Sequence, residues 1–194
     1  VAPKQLQCVL GNMIYLEKKD IPQIVLNRIV RLAAFSNPEF YKAQAMRLPI
    51  YNKPRIISLA DTSFEKYIAI PRGCKEELSA LAQEMGSEII WQDETNPGEE
   101  TDFVFQGELR HQQAEAATAL LEHETGVLAA TTAFGKTVVA AWLIAQRKIN
   151  VLVIVHRRQL LDQWKDRLCT FLNLEPAEVG EISGGKEKRT GKIN

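Results

Sequence analysis

Three cysteines are all the chain has, Cys8, Cys74 and Cys169, widely separated and without a Cys-x-x-Cys pair. That excludes a disulfide framework and a thiolate zinc site, and it fits a reducing, cytoplasmic setting. Long apolar runs are also missing. None approaches the roughly 18 residues that a membrane span needs, and no basic-then-apolar leader opens the chain, so no membrane association is expected. Net charge is absent, with 24 Lys and Arg against 24 Asp and Glu. A chain that is basic throughout is thereby excluded, though not one whose charges are segregated. Repeats and low-complexity tracts do not occur. With 45% hydrophobic residues in 194, there is enough apolar content for one or two cores. The chain opens on Val1 and stops at Lys192-Ile193-Asn194 without a terminating pattern, so a piece of a larger protein is expected.

The charges are in fact segregated. Val1–Lys75 carries 12 basic and 5 acidic residues, and residues 76–100 carry 8 acidic and no basic ones. Such a split is compatible with a polyanion-binding face and equally with charges that mix in space. The acidic stretch 92–102 (QDETNPGEETD), broken by Pro97-Gly98, reads as a linker between residues 1–91 and residues 103–194. Before it, residues 20–35 carry apolar residues at helical spacing, with Asp20 placed as N-cap. A short helix is expected over residues 38–47, strands around RIISL and YIAI, a helix over residues 75–85 and a strand over residues 88–91. After the linker the texture changes. Helices are predicted at residues 109–122, 136–147 and 158–172, alternating with short apolar strands at 127–130, 151–155 and 179–182. Strands alternating with helices of about a dozen residues imply a parallel sheet. The expected fold is therefore α/β: a small α+β domain followed by part of a P-loop lobe.

The sharpest chemical signal is Ala130-Thr131-Thr132-Ala133-Phe134-Gly135-Lys136-Thr137, the relaxed phosphate-loop pattern ending in Gly-Lys-Thr. It lies between an apolar strand candidate and an apolar helix, where free N–H groups and the helix dipole favour an anion. Thr132, Ala133, Phe134 and Gly135 would wrap the phosphates of ATP, Lys136 would neutralise the β- and γ-phosphates, and the Thr137 hydroxyl would hold Mg²⁺. Ala133 is a departure, because a left-handed conformation forced on a residue with a β-carbon costs roughly 1–2 kcal/mol. That predicts nucleotide binding weakened about five- to thirtyfold.

Upstream, Gln113 opens a helix, and its amide can match the N7 and N6 of adenine, with Phe105 as a stacking partner. Downstream, in VLVIVHRRQLLDQW, His156, Arg157 and Arg158 fall at the carboxyl end of a parallel strand, where ligands collect. Arg157 and Arg158 fit phosphate contacts there, and they fit equally a solvated helix start. Trp164, among Leu160, Leu161 and Leu168, reads as core.

The order F-x-G-x-L-R-x-x-Q, A-x-x-x-x-G-K-T and LVIVHRRQLLDQW resembles the first half of the first motor lobe of superfamily-2 helicases. The group most similar contains the type III restriction enzyme motor subunit and the excision-repair translocases. This resemblance, over residues 103–194, implies a RecA-like lobe that binds ATP with Gln113, Gly135, Lys136 and Thr137. It also implies that the segment from His156 to Gln163 touches DNA. Thr131 and Ala133 depart from it, standing where Pro and Gly are usual. No Asp-Glu box follows the loop, and Asp162 and Asp166 lie within a helix, so these residues alone are expected not to hydrolyse ATP. The N-terminal residues resemble an accessory domain found ahead of such motors. There Arg72, presented by Pro71-Arg72-Gly73, joins Arg28, Arg31, Arg47 and Arg55 in a candidate phosphate-binding face, unless each pairs with a local acid. Two other readings stay open: a non-catalytic nucleic-acid-binding module whose loop only supports the fold, and the motor of a restriction or conflict system whose nuclease lies elsewhere in the parent protein.

Overall fold

The computed structural model describes residues 3–194, apart from the side chain of Lys186. It divides into two compact units, Val1–Asn96 and Pro97–Asn194.

The first unit is built on a four-stranded sheet in the order β5-β2-β1-β6. Strands β1 (Gln5–Leu10) and β2 (Ile14–Glu17) form a hairpin around Gly11. Helix α1 (Gln23–Leu32) follows, then β3 (Ala34–Ser36), α2 (Pro38–Ala45) and β4 (Ile56–Ser58). Strand β5 (Tyr67–Ile70) is antiparallel to β2. After a 3₁₀ turn (Arg72–Cys74) and α3 (Lys75–Glu84), strand β6 (Glu88–Asp93) runs parallel to β1. The parallel pair requires a crossover, which α1 and α3 supply by packing Leu26, Ile29, Leu78 and Leu81 onto Leu6, Leu16 and Ile70. Cys8 lies in this core, where burial pushes its thiol up to about 12.

The hairpin is missing from the sequence-based expectation, although Leu6, Cys8 and Leu10 are buried in alternation with Gln5, Gln7 and Val9. The cap of α1 also differs. Asp20 has φ 60, and the N-cap is Pro22, whose missing N–H costs nothing at a helix start. Strand β3 (Ala34–Ser36) takes Ala34 and Phe35 out of the predicted helix.

The segment expected to be a linker is claimed from both sides. Gln92 and Asp93 complete β6, paired with Val9 and Leu10. Further on, Asn150 N donates to Glu99 O at 2.8 Å and Thr101 N to Lys148 O at 2.9 Å. The division between the two units falls at Asn96 and Pro97.

In the second unit, α4 (His111–Leu121), α5 (Lys136–Arg147) and α6 (Arg158–Leu172) match the expected periodicity closely. Helix α5 buries Val139, Ala141, Ile144 and Ala145, and it ends where Lys148 turns left-handed. Burying a Val or Ile side chain contributes about 1.5–3 kcal/mol, so the apolar stripe holds the helix more firmly than any cap. At its end, Arg147 donates to the His123 carbonyl at 2.7 Å and ties α5 to the end of α4.

The strands follow the prediction less closely. Val151 and Val179 each bridge Ile193 in parallel, giving a short central ladder with Val153 N donating to Asn194 O at 2.8 Å. Ile193, fully buried, centres the core with Phe103, Leu168, Leu172 and Val179. Residues 152–155 carry no ladder beyond this, and residues 127–130 form no strand. A strand exists only through its neighbours. Val127 and Ile154, 91% and 84% exposed, lack such neighbours among the described residues. Residues 179–180 meet Ile193, and the chain then enters a hairpin of β7 (Glu181–Ser183) and β8 (Lys186–Lys188).

Candidate functional site

The loop 130–137 is an open turn leading into α5. Phe134 N approaches Thr131 O at 3.4 Å, Ala133 is left-handed at φ 66, and Gly135, the N-cap of α5, is left-handed at φ 93. Glycine is required at 135 for a second reason, since a β-carbon there would overlap Gln113 Nε2. The first amides of α5 precede its first intrahelical bond, which Val138 N makes to Gly135 O at 2.9 Å.

Lys136 lies folded against its own loop. Its ammonium donates to Ala130 O at 2.7 Å and to Thr131 O at 2.8 Å, and it forms no ion pair with a carboxylate among the described residues. Thr132 and Ala133 are exposed, while Phe134, Gly135 and Thr137 are half-buried.

Gln113 is 4% exposed and fully engaged. Its Nε2 donates to Phe134 O at 2.7 Å, and its Oε1 accepts from Arg110 N at 2.9 Å, closing the N-terminus of α4. The donor and acceptor expected to face adenine are therefore used to hold the loop. Arg110, which the sequence motif contains but gave no role, sends its guanidinium to the same Phe134 carbonyl. The signal for it was its place three residues before Gln113, one turn away on the helix start. Arg110, His111, Gln112, Gln113 and Phe134 line an open cavity of about 340 Å³ beside the loop. Phe105 is not among them. Its ring stacks on Phe171, with centroids 5.9 Å apart and planes at 14°, and it belongs to the core beneath α6.

At the head of α6, His156, Arg157 and Gln163 are exposed. Arg158 is not available in the same way. It bonds Glu181 and the Ser183 hydroxyl (2.8 Å) and lies 3.3 Å from Asp162. Hydrogen bonds from Ser183, Lys165 and Arg158 hold the Glu181 carboxyl well down, at about 2. Arg158 thus clamps α6 to β7. Trp164 packs against the second core, in line with the sequence expectation.

In the first unit, Arg28 chelates both oxygens of Glu84 at 2.9 and 2.7 Å. Arg72, in the 3₁₀ turn after β5, acts with Lys75 on Asp93, whose carboxyl is lowered first by Thr95 and then by these cations. Arg55 donates to the Tyr41 hydroxyl at 3.1 Å. Arg31 and Arg47 form no ion pair among the described residues. The arginines proposed as one face are thus partly bound to local partners.

Comparison with known proteins gives a consistent picture. Residues 106–194 match the family described as type III restriction enzyme, res subunit. The chain is 37% identical over 84 residues to the DNA 3'-5' translocase XPB2 of Sulfurisphaera tokodaii, covering 43% of this chain and 18% of that protein. It is 35% identical over 72 residues to the putative helicase 109L of Invertebrate iridescent virus 3, covering 35% of this chain and 22% of that protein. The chain spans about a fifth of the length of these relatives. In fold it is similar to the UvsW helicase of bacteriophage T4, with a TM-score of 0.60 and 16% identity over 95% of this chain and 70% of that one.

Proposed function

We infer from these likenesses that the chain is a segment of a superfamily-2 DNA helicase or translocase, and we propose that it binds ATP through residues 130–137 and contacts DNA through both units. The observation that supports this best is the head of α5. A left-handed Gly135 opens the helix amides, and the Lys136 ammonium is held only by two neutral carbonyls. A phosphate adds the attraction of opposite charges to the hydrogen bond that a neutral carbonyl offers, so it would displace Ala130 O and Thr131 O from Lys136. The residues present fit the phosphates of a nucleotide. Gly135 lets the backbone approach, Lys136 carries the neutralising charge, and Thr137 supplies a hydroxyl to Mg²⁺.

Among the described residues no group of three or more His, Cys, Asp or Glu could hold a metal ion. The ion would therefore be held by the phosphates and Thr137, and it would supply charge for phosphoryl transfer in the parent protein. Gln113 would exchange its bond to Phe134 O for an adenine edge. Phe105, stacked on Phe171, would support the core beneath rather than the base. His156, Arg157 and Gln163 are proposed as DNA contacts from the second unit, with Arg158 as their anchor, and Arg72 and Arg55 as contacts from the first. The rest of the motor, and a nuclease if the parent belongs to a restriction system, would be partners in the same polypeptide.

A second reading rests on the same lysine. Because Lys136 braces its own loop, the motif could serve only the fold. Titration with a non-hydrolysable ATP analogue and Mg²⁺ separates the two. Under the motor reading the analogue binds and Lys136→Ala abolishes binding. Absence of binding by the unaltered chain, with a melting temperature lowered in Lys136→Ala, would instead favour the fold-supporting role. With no acidic box after the loop, these 194 residues are proposed not to turn over ATP. A phosphate-release assay showing turnover that disappears in Lys136→Ala would refute that.

A further inference from the structure

The first unit leaves an unusual surface between β3 and β5. Nine large apolar side chains between Phe35 and Tyr67 are exposed, and among them Tyr51 is 90% and Ile56 58% accessible. Cations are interleaved with them. Residues 34–67 hold five Lys and Arg and three acids, and one acid, Glu39, is neutralised by Lys53 at 2.9 Å. The whole unit is close to neutral, with 12 basic and 11 acidic residues over 1–96. Glu84 holds Arg28, and Asp93 is acted on by Lys75 and Arg72. In sequence, positive charge is concentrated over α2, β4 and the turn between them, where Lys42, Arg47, Lys53 and Arg55 stand against Glu39 alone.

This surface is built rather than loose. Strands β3 and β4 pair with Ser36 opposite Ile56. The buried Asn37 caps α2 through Glu39 N at 3.0 Å and also grips Pro54 O at 2.8 Å. The Lys53–Glu39 pair ties the turn carrying Tyr51 to the first turn of α2. Tyr41 reaches to Ser36 of β3 and to Arg55 just before β4, and its phenol is lowered below the usual range by hydrogen bonds with Arg55 and then Ser36. An aromatic ring is thus fixed beside a guanidinium, with a second ring fully open to solvent and Arg47 nearby in sequence and without an ion pair among the described residues.

We infer that Tyr41 and Tyr51, with Arg55 and Arg47, form a stacking platform for single-stranded DNA. This rests on the reading that the chain engages DNA, and it names the form engaged. Exposed rings combined with cations suit unpaired bases, whose faces are free, whereas a duplex buries its base faces in its own stack.

The test is fluorescence anisotropy of the full chain, without nucleotide, against labelled oligothymidine and against a duplex of equal length. Tyr51→Ala and Tyr41→Ala should each weaken strand binding roughly five- to a hundredfold and change duplex binding less than about threefold. Tyr41→Phe keeps the ring and should restore strand binding. Arg55→Gln should lower the slope of log affinity against log salt by about 0.7, the value for one phosphate of a single strand. Tyr51 is so exposed that its removal leaves the fold intact, so unchanged strand affinity in Tyr51→Ala overturns the inference. Equal losses for strand and duplex overturn it too, as would binding of neither while an added protein shields Tyr51. Failure of ATP-analogue binding alongside tyrosine-dependent strand binding would sink the motor reading alone.

Discussion

Replacing Gly135 with alanine is the most exacting test of the loop. Two penalties are visible in the structure. Alanine must adopt the left-handed φ of 93, at about 1–2 kcal/mol. Its β-carbon must also displace Gln113 Nε2. Gln113 is 4% exposed, so an amide pushed off Phe134 O finds no water, and an unsatisfied buried donor costs about 1–3 kcal/mol. Together these give about 2–5 kcal/mol. For a unit of this size that corresponds to a melting temperature lower by roughly 10–25 °C.

The two penalties can be separated by a double-mutant cycle read by thermal melting. In a Gln113→Ala background the clash is gone, and Gly135→Ala should cost only the left-handed term, about 1–2 kcal/mol. The coupling between the two sites should then equal the lost clash term, about 1–3 kcal/mol. An equal cost of Gly135→Ala in both backgrounds would show that the amide does not hold the loop, and the account of Gln113 would fall with it.

The structure corrects the roughly five- to thirtyfold loss of affinity expected from Ala133 in the sequence: Ala133→Gly should act on stability rather than on affinity. Ala133 is already left-handed at φ 66 without nucleotide, so its strain is present before and after binding and cancels. The gain is at most about 1 kcal/mol once the entropy of the unfolded glycine is counted, and analogue affinity should move less than about threefold by calorimetry. A tenfold tighter complex at an unchanged melting temperature would refute this. For Glu181, the folded carboxyl is lowered from 4.5 to about 2. Its contribution is therefore complete above about pH 4.5 and is lost as pH falls towards 2. Glu181→Gln should flatten the acid-unfolding profile over that window in tryptophan fluorescence, and a profile as steep as that of the unaltered chain would count against the clamp.

Helices were the legible part of the sequence. Helices α5 and α6 fall at the predicted residues because local periodicity and the glycine before Lys136 define them without help from distant segments. Strands were less legible, because a ladder depends on partners far along the chain. Val151 meets Ile193, a pairing that no local pattern of VLVIV announces, and residues 127–130 stay unpaired for the same reason. The β1–β2 hairpin did carry a local signal, alternation around Gly11-Asn12, but it was short and began close to the first residue. Within the site, the loop and Lys136 were readable from the motif. The engagement of Gln113 and the role of Arg110 were not, since both depend on a carbonyl 21 and 24 residues away. Phe105 was expected beside a base, and the structure stacks its ring on Phe171, a partner 66 residues on that no local pattern announces.

The carbonyl of Phe134 is moored by two clasps, one from Gln113 and one from Arg110. A tether with two clasps can be opened one at a time. An arriving purine that claims the glutamine leaves the turn still fastened by the guanidinium, so bases could come and go without the turn coming undone.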